Sequence, residues 1–528
     1  MKTKIFTLLL LALPFLASAQ TLTIESGAVV TIGPGGAMTT GAIINNNGVD
    51  GLVIKSDATG TGSLIYDGTS GNPEATVETY ISKNAQHFVS SPVNPGNSSS
   101  YYYGDEGNFD AWLWWWDHTV DNDDDPNWAD PWVSVISLDS TLRSGQGFTT
   151  AWTDGQGARV EGTAVHQGTL VGESLEYYFD PAETTPPSTY FNPNNGFHLL
   201  GNPFTAAIDL SPFVGQPDGG FEITVWIWDQ TQNGGLGAYV WGSVNNSYPG
   251  NEMTVPHIPI GQAFFMRQLT DAIVGVNYNA DYRTHSTVPF YKKSAEKAVN
   301  EDLNYAWIIV ESGILKDKVL IGFDENGTDG FENGWDASKL FNGENLPAIY
   351  FKDNTDWPLC QNNIGYPEED QAKVVTLYTS AGVEGDHTIS VDVDNLRDIR
   401  MTLEDRQTDV WTDLDENTTY SYYASKDDDI DRFRLHLSYS PTSVDDPFAT
   451  REKAVDIYSW DKAVYIHSDE NDFAGATISI FDMYGRQIYS QKATLGGTTR
   501  IPLDVSNSYL VVRVQKENTL FTEKVFIK

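Results

Sequence analysis

The chain has 528 residues, with 72 Asp or Glu against 32 Lys or Arg, so its formal net charge is −40 at pH 7. A charge of this sign repels nucleic acid and anionic membranes, and the length is too great for one hydrophobic core. A hydrophobic content of 40% excludes a disordered chain. The single cysteine, Cys360, excludes an intramolecular disulfide and is expected to be a small buried residue.

Residues 1–19 have the form of a secretory signal peptide. Lys2 and Lys4 precede an apolar run over residues 5–16, which is too short to span a bilayer comfortably. Ala17-Ser18-Ala19 then supplies small residues at a cleavage site, so Gln20 becomes the expected new N-terminus. The rest of the chain has no apolar run long enough for a transmembrane helix. We therefore expect export to the periplasm.

Residues 20–85 are predicted to form a segment of short β-strands. Leu22 and Ile24 alternate with polar residues, and the Asn and Gly residues at 45–48 mark a turn. Apolar runs of this length are too short for helices and suit a solenoid-like arrangement.

An internal duplication follows, with a first β repeat over residues 86–190 and a second over residues 191–290. Three markers recur in the same order, at offsets of about 111, 112 and 116 residues. The paired markers are His87–Pro92 with Phe197–Pro203, Trp112–Asp117 with Val225–Asp229, and Gly145–Phe148 with Gly261–Phe264. The sequence leaves two interpretations open, namely two homologous β-domains or two halves of one pseudo-symmetric domain.

Residues 303–440 are predicted to form a β-sandwich that is jelly-roll-like, because apolar and polar residues alternate along each segment. In the segment 432–437, Arg and His residues take turns with Phe and Leu, which is typical of a strand with one buried face. Residues 441–453 are rich in Pro, Ser and Asp and are predicted to be an exposed linker. The fold class is therefore all-β, with several β-sandwich domains in tandem.

Residues 454–528 carry three motifs: Ile480–Arg486, Tyr509–Val514 and Lys524–Lys528. Together they resemble the type A C-terminal sorting domain of the type IX secretion system of Bacteroidota. The resemblance implies an Ig-like β-sandwich, and it implies passage through the outer membrane by the type IX machinery. A surface peptidase would then remove this domain, and the passenger would be released or joined to surface lipopolysaccharide. The implied sorting residues are Asp482, Gly485, Arg486, Tyr509, Lys524 and Lys528.

Two turn positions in this region have a conformational requirement. Gly485 lies in a tight turn between strands, where a positive φ is favoured. The family usually places Gly two residues before the position of Tyr509, whereas this chain has Asn507 there. Asn is among the few side chains that tolerate the left-handed region, so the turn is expected to survive. The charge balance of this region also differs from that of the rest of the chain. Residues 456–528 hold nine acids and eight bases, a net charge of −1, whereas the whole chain carries −40.

An acidic loop at residues 324–332 is a candidate calcium site, because calcium prefers six to eight hard oxygen ligands. The candidate ligands are Asp324, Asn326, Asp329 and Glu332, and Asp336 could add another. The spacing departs from the EF-hand pattern by one residue and no helices flank it, so a solvated hairpin turn is the alternative. The acidic run 121–125 is expected to be a solvated loop, and the scattered histidines give no zinc pattern.

A tryptophan cluster at residues 112–116 is a candidate ligand surface. On a strand Trp114 and Trp116 face one side, as does Trp112, and flat rings can stack on the apolar faces of sugars. The alternative is that these rings fill a core between sheets. Trp226 and Trp228 occupy the matching place in the second repeat, which favours the structural alternative.

These observations give an order of functional hypotheses. The first is a secreted or surface-anchored, adhesin-like or structural protein without catalysis, located outside the cell or on the outer membrane. The second is a glycan-binding protein that uses the Trp112–Trp116 face. The third is a hydrolase with an unrecognised carboxylate pair, since acids are plentiful and no two stand out. The expected partners are the secretion machinery, glycans, and host or matrix proteins.

Overall fold

The computed structural model confirms an all-β protein built from many short sheets, as the sequence predicted. It divides into two compact units, the first formed mainly by residues up to 299 and the second mainly by residues from 300 onward. The structure describes residues 20–83, 86–102, 111–118, 120, 131–135, 137, 139–152, 160–179, 196–210, 220–243, 257–270, 275–286, 303–368, 371–439, 455–468, 474–494, 497–505, 507–516 and 519–528. The predicted signal peptide, the acidic run 121–125 and the predicted linker 441–453 lie outside these residues.

The first unit begins with a solenoid, which agrees with the prediction for residues 20–85. Its strands are β1 (Leu22–Ile24), β2 (Val30–Ile32), β3 (Ala37–Thr40), β4 (Ile43–Asn45), β5 (Leu52–Ile54), β6 (Ser56–Asp57), β7 (Gly60–Thr61), β8 (Ser63–Tyr66) and β9 (Glu74–Ile81). Strand β1 pairs in parallel with β4, β2 with β5, and β3 with β8, so successive turns of the chain stack on each other. Ile24, Leu52 and Leu64 point into the interior between the stacked strands.

The duplicated region follows within the same unit. The strands of its first half are β10 (His87–Ser90), β11 (Val93–Asn94), β12 (Gly96–Asn97), β13 (Ala111–Trp116), β14 (Trp132–Ser134), β15 (Thr141–Leu142), β16 (Gly147–Trp152), β17 (Gly162–Leu170) and β18 (Leu175–Tyr178). Those of the second half are β19 (Phe197–Gly201), β20 (Ala207–Asp209), β21 (Thr224–Asp229), β22 (Ala238–Ser243), β23 (His257–Ile258), β24 (Ala263–Arg267), β25 (Gly275–Tyr278) and β26 (Arg283–Thr284).

The two halves repeat one sheet topology. The first half has a four-stranded sheet in the order β10-β16-β13-β14, and the second has β19-β24-β21-β22. Each strand takes the place of its counterpart in the other half. A smaller pairing also recurs, since β12 pairs with β15 and β20 pairs with β23. The internal duplication inferred from the sequence is therefore a duplication of structure.

The halves are joined to each other by an exchange of matching contacts. Val89 forms a β-bridge with Gln262, and the equivalent residues Leu200 and Gln146 form the reciprocal bridge. The amide of Ser90 donates to the carbonyl of Gly261, and the amide of Gly201 donates to the carbonyl of Gly145, both at 2.8 Å. This reciprocity supports the interpretation of two halves of one pseudo-symmetric domain.

The solenoid is continuous with the first half rather than a separate domain. Strand β9 pairs with β17 over eight residues, and β5 pairs in parallel with β9, giving a sheet in the order β11-β17-β9-β5-β2. In addition, Thr205 of the second half accepts a backbone hydrogen bond from Leu64. Strand pairing among the described residues therefore continues across residue 85, where the sequence placed a boundary between two segments.

The second unit contains the sandwich domain. Its strands are β27 (Asn304–Ser312), β28 (Leu315–Phe323), β29 (Ala337–Ser338), β30 (Ala348–Lys352), β31 (Pro358–Ile364), β32 (Lys373–Ser380), β33 (Gly385–Asp392), β34 (Ile399–Asp405), β35 (Val410–Leu414), β36 (Thr419–Ala424) and β37 (Phe433–Tyr439). They form one sheet in the order β35-β34-β37-β32-β30-β31-β28-β27-β33-β36, with β29 beside β31.

This long sheet encloses a single large core. Val319, Ile321 and Ile389 are fully buried, as their period-two spacing predicted. Cys360 is also buried, and its thiol contacts the carbonyl oxygen of Ser338 at 3.1 Å, which confirms the expectation of a small buried residue. The ring of Tyr422 on β36 packs edge-on against Phe433 on β37, so the two ends of the sheet come together around the core.

The C-terminal domain, residues 455–528, belongs to the second unit and is a β-sandwich. Its strands are β38 (Asp456–Trp460), β39 (Ala463–Ser468), β40 (Ala474–Asp482), β41 (Gln487–Thr494), β42 (Gly497–Pro502), β43 (Ser508–Lys516) and β44 (Thr519–Ile527). One sheet has the order β38-β39-β42 and the other β41-β40-β43-β44. Ile466, Ile480 and Val512 fill the space between them.

Helical structure in the described residues is limited to short 3-10 turns. They are Gly48–Asp50, Gly68–Ser70, Ser98–Tyr101, Asn233–Gly235 and Ala280–Tyr282.

Candidate functional site

The sandwich domain carries an open groove of about 650 Å³ on the outer face of strands β27, β33 and β36. It is lined by Glu311, Gly313, Asp386, His387, Thr388, Ser421, Tyr422 and Tyr423. A volume of this size is in the range of ordinary small-ligand sites.

Strand register explains why these side chains meet. Thr388 lies between Glu311 on one neighbouring strand and Ser421 on the other, and Asp386 lies opposite Tyr423. Because side chains alternate along a strand, these residues all project from the same outer face, while Ile389 points to the core. The groove therefore combines the hydroxyl groups of Thr388 and Ser421 with the carboxylates of Glu311 and Asp386 and with one aromatic wall, the ring of Tyr423.

The aromatic wall is well exposed and its support is rigid. The Tyr423 side chain has 63% of its surface exposed, and its carbonyl oxygen accepts a 3.0 Å hydrogen bond from the buried Arg432 guanidinium. On the opposite face of β33, the two ring nitrogens of the buried His387 lie 3.0 Å from the carbonyl oxygens of Gly385 and Ala381. These contacts fix the backbone from which Asp386 and Thr388 project.

The predicted tryptophan surface is only partly described. Trp116 is 8% exposed, its indole nitrogen donates to the carbonyl oxygen of Phe197 at 2.9 Å, and its ring packs edge-on against Phe265 at 4.7 Å. The Trp116 ring therefore fills a core between sheets, which is the structural alternative to a ligand surface. Trp114 is half-buried, and the side chain of Trp112 lies outside the described residues. A glycan-binding role for Trp112 and Trp114 stays a prediction.

The buried tryptophan belongs to an aromatic cluster shared by both halves of the duplicated domain. Phe88 of the first half stacks on Trp228 of the second at 5.8 Å and meets Phe265 edge-on at 5.6 Å. Offset and edge-on contacts of this kind add to the stabilisation from burial alone. The matching residues Trp116 and Trp228 thus each pack against the other half of the duplicated domain.

The predicted calcium loop is occupied by internal contacts. Asp324 Oδ1 accepts the amide of Asn326 at 2.8 Å, and Asp329 forms a 3.2 Å ion pair with Lys373. The fully buried Asp336 accepts the amides of Glu332 and Asn363, each at 2.6 Å. Within the part of the chain that the structure describes, no group of three or more His, Cys, Asp or Glu side chains could hold a metal ion. Calcium binding at Asp324, Asn326, Asp329 and Glu332 stays a prediction.

The hairpin Asp482–Arg486, which is predicted to act in sorting, is a tight, preorganised turn. Asp482 Oδ1 accepts the amides of Tyr484 at 3.0 Å and Arg486 at 2.9 Å, while its Oδ2 accepts a 3.0 Å hydrogen bond from Arg486 Nε. These hydrogen bonds to the charged form lower the pKa of Asp482. Gly485 has a φ of 79°, as the sequence predicted, and Tyr484 at the tip is 97% exposed.

The other residues predicted to act in sorting, Tyr509 and Lys524 among them, lie on neighbouring strands. The Lys524 ammonium sits 4.0 Å from the centre of the Tyr509 ring, across the β43–β44 pair, and Lys528 is exposed at the last position. Asn507 has a φ of 50°, which confirms that it occupies the left-handed region at this turn. The backbone requirements of the motif are therefore met, while the role of its residues in sorting stays a prediction.

The groove residues were not singled out in the sequence. Thr388 and Asp386 could be placed on a solvent face by their alternation with Ile389, but that pattern is shared by many strands. What makes the groove is that β27, β33 and β36, which are far apart in the chain, become neighbours in the sheet. A single sequence carries no signal for that pairing.

Comparisons with known proteins add a family but no activity. A family model described as a domain of unknown function (DUF8693) matches residues 10–437, and a second domain of unknown function (DUF8694) matches residues 444–527. No curated protein matches the sequence. A solved structure titled "Biofilm associated protein - BSP domain" aligns over 86% of this chain and 92% of that chain, with 8% identity and a TM-score of 0.14. A TM-score this low does not indicate a shared fold.

The described part of the chain contains no helix of sufficient length and hydrophobicity to cross a membrane.

Proposed function

The chain belongs to the DUF8693 family, a domain of unknown function, and from that premise we propose that it is an exported, adhesin-like surface protein that binds glycans in the groove of its sandwich domain. The observation that carries the proposal is the juxtaposition of an exposed aromatic ring with carboxylates and hydroxyl groups. Signal peptide features and the resemblance of the C-terminal domain to sorting domains support a location outside the cell.

Glycans fit the chemistry of this groove. The exposed Tyr423 ring offers a flat surface for the apolar face of a sugar, and the carboxylates of Glu311 and Asp386 accept hydrogen bonds from sugar hydroxyls. Thr388 and Ser421 can both donate and accept. An open groove also suits a chain of sugars that enters and leaves at both ends.

Charge narrows the class of glycan. The groove is lined by two carboxylates, those of Glu311 and Asp386, and by no Lys or Arg, and the chain as a whole carries −40. A sulfated or otherwise acidic polymer would be repelled, so neutral glycans and those with free amino sugars are the favoured ligands.

The test is binding of the full chain to a panel of immobilised neutral, amino and acidic glycans. We expect retention on neutral or amino glycans, and at least a tenfold loss in affinity for Tyr423→Ala. The matched control is Tyr484→Ala, which removes another exposed tyrosine, 97% exposed, outside the groove. Equal retention of both variants would contradict the groove as the site, and a ligand lost with Trp114→Ala instead would favour the tryptophan surface.

A catalytic role is separable in the same experiment. Release of reducing ends from a retained glycan, lost in Glu311→Gln or Asp386→Asn, would favour the hydrolase alternative over binding alone. Retention without hydrolysis is the result that the proposal expects.

Export by the type IX system is part of the same proposal. The preorganised Asp482–Arg486 hairpin supports it, because a fixed turn presents the Tyr484 side chain to a partner at little entropic cost. In a host with this system, we expect Asp482→Ala to leave the protein in the periplasm. Arg513→Ala, a change on the neighbouring strand β43, is the control, and export of both variants would contradict the assignment.

A further inference from the structure

In the C-terminal domain, strand β39 of the sheet β38-β39-β42 is buried on both of its faces, whereas a sandwich that stands alone buries only the inner face of each sheet. On β39, Val464 and Ile466 face the core of the domain itself. The alternate residues Tyr465 and His467 point the opposite way and are still 0% and 1% exposed. Period-two geometry assigns these two residues to the outside of an isolated domain, so something else must cover them.

The cover is the sandwich domain, whose own outer face is buried in the same place. On β37, Leu435 and Leu437 point to the sandwich core, whereas His436 and Ser438 point outward and are 1% and 7% exposed. The sequence indicated one buried face for this strand, and the structure shows that the second face is covered as well. Glu404, on the adjacent β34, is 8% exposed.

Aromatic rings form the centre of the contact. Trp411, on the edge strand β35, packs against His436 of its own domain at 4.4 Å and against Tyr465 of the C-terminal domain at 4.9 Å. Tyr465 stacks on Tyr458 at 5.2 Å with the planes 10° apart. Fully desolvated aromatic anchors near the middle of a contact are the residues that dominate binding between proteins.

Polar and cation–π contacts between the two domains surround the rings. His467 Nε2 contacts the Asp413 carboxylate across the two domains, and Ser438 Oγ donates to Asp456 Oδ2 at 3.0 Å. The guanidinium of Arg434 lies 4.8 Å from the centre of the Trp460 ring. Contacts of this kind fix the register of one surface on the other.

We propose that this surface, made of Glu404, Trp411, Asp413, Arg434, His436 and Ser438, is a docking face that holds the C-terminal domain on the sandwich domain after the chain between them is cut. Proteolysis within residues 440–454 then leaves two chains in one complex. Release of the C-terminal domain requires a second event that opens the docking face. The proposal depends neither on glycan binding nor on the secretion route.

Cutting the chain is the discriminating step. While the chain is intact, the connection keeps the two surfaces together at an effective concentration on the order of millimolar, so even a weak contact is made. After a cut, at about 10 µM protein, the pieces stay together only if the dissociation constant is well below that concentration.

The experiment uses the full chain with the recognition sequence of a site-specific protease inserted between Ser443 and Val444. After complete cleavage at pH 7.5, size-exclusion chromatography at about 10 µM is expected to give one peak that contains both pieces. Two separate peaks would overturn the proposal.

Two variants test whether the described contacts provide the affinity. Trp411→Ala, on the half-buried edge strand, and Arg500→Gln, which removes the C-terminal domain's cation that acts on Glu404 of the sandwich domain, are expected to weaken the cut complex. We expect at least a tenfold rise in the dissociation constant for Trp411→Ala and a smaller rise for Arg500→Gln.

The matched control is Trp335→Ala, which removes a tryptophan outside the docking face that is 37% exposed. Its cut complex is expected to keep the wild-type dissociation constant. Circular dichroism of each uncut variant separates loss of docking from loss of fold. If both Trp411→Ala and Arg500→Gln bind like the wild type, the docking face as defined is wrong.

Discussion

Arg432 holds Asp405 by two parallel hydrogen bonds, from Nε to Oδ1 at 2.9 Å and from Nη2 to Oδ2 at 2.6 Å, with both side chains at most 4% exposed. The same carboxylate accepts the hydroxyl of Tyr420 at 2.7 Å. Asp405 ends β34, near one end of the long sheet, whereas Tyr420 lies on β36 at the other end. The Asp405 carboxylate, held in place by Arg432, therefore joins the two ends of the sandwich sheet.

Loss of this pair is expected to destabilise the second unit strongly. Arg432→Met leaves the Asp405 carboxylate buried without its cation, which costs on the order of 3–5 kcal/mol in the free energy of unfolding. Arg406→Met is the matched control, because its 2.7 Å pair with Asp431 is exposed and should cost at most about 1 kcal/mol. Urea unfolding of both variants measures the difference, and similar small losses would contradict the joining role.

The two halves of the duplicated domain pack so closely at Gly201 that we expect this position not to tolerate a larger side chain. A Cβ added there would lie 2.3 Å from the Cβ of Ser90 and 2.5 Å from the carbonyl oxygen of Gln146. Gly201→Ala is therefore expected to cost about 1–3 kcal/mol or more in the free energy of unfolding. Gly33→Ala, where a Cβ meets nothing within 4 Å, is the control and should be nearly neutral. Thermal unfolding of the two variants checks the contrast.

The buried His166 predicts acid sensitivity in the first unit. Neither of its ring nitrogens has a hydrogen-bond partner among the described residues, and burial lowers its pKa from 6.5 to about 3. The unfolded chain binds a proton below pH 6.5 that the folded chain refuses until about pH 3, so stability falls as the pH drops through this window. Between pH 7 and pH 4 this single group accounts for about 3 kcal/mol.

His166→Leu removes that group while keeping an apolar side chain beside Tyr101, whose ring lies 4.9 Å from the imidazole. We expect the free energy of unfolding to depend less on pH between 7 and 4 in the variant than in the wild type. Urea midpoints at both pH values provide the measurement. An unchanged pH dependence would show that the acid response comes from other groups.

The docking face is expected to open in acid. Burial lowers the pKa of His436, and the hydrogen bond with Glu404 only partly offsets this. Burial acts to raise the pKa of Glu404, but the hydrogen bond with His436 and the charges of Arg434 and Arg500 hold it below its usual value. Undocking exposes His436 to water, where its imidazole takes up a proton more readily than in the docked state. A fall in pH therefore favours the undocked state.

The groups that face His436 explain the direction. They are Glu404, Arg434, Trp411, Trp460, Tyr465 and Arg500. The His436 imidazole faces two cations and three aromatic rings but only one carboxylate, so its charged form is poorly accommodated. The dissociation constant of the cut complex should rise as the pH falls below 6.5, the ordinary pKa of histidine. His436→Gln cannot titrate and should respond less, and identical pH responses would exclude His436 as the sensor.

Much of the fold could be predicted because its signals are local or periodic. The short strands of the solenoid were indicated by Leu22, Ile24 and the Asn-Gly turns, and the duplication by three markers at nearly one spacing. The left-handed backbone of Asn507 followed from the chemistry of one residue type. Each of these signals lies within one segment or compares one segment with another.

The candidate site and the docking face could not be predicted because they depend on which strands become neighbours. His436 was placed on the outer face of its strand by its alternation with Leu435 and Leu437, and nothing in the pattern indicates that Tyr465 covers it. In the same way, Tyr423 and Glu311 are more than a hundred residues apart in the sequence and share a groove only through β33.

The reciprocal bridges between Val89 and Gln262 and between Gln146 and Leu200 also bear on the origin of the first unit. In a symmetric pair of identical chains, every contact from one position to another is made twice, once in each direction. The two bridges have this property, although both now lie in one chain. This is the arrangement that duplication and fusion of a gene for a homodimer would produce. In such a chain the outward surface of each copy can change independently, while the shared interior holds both copies together.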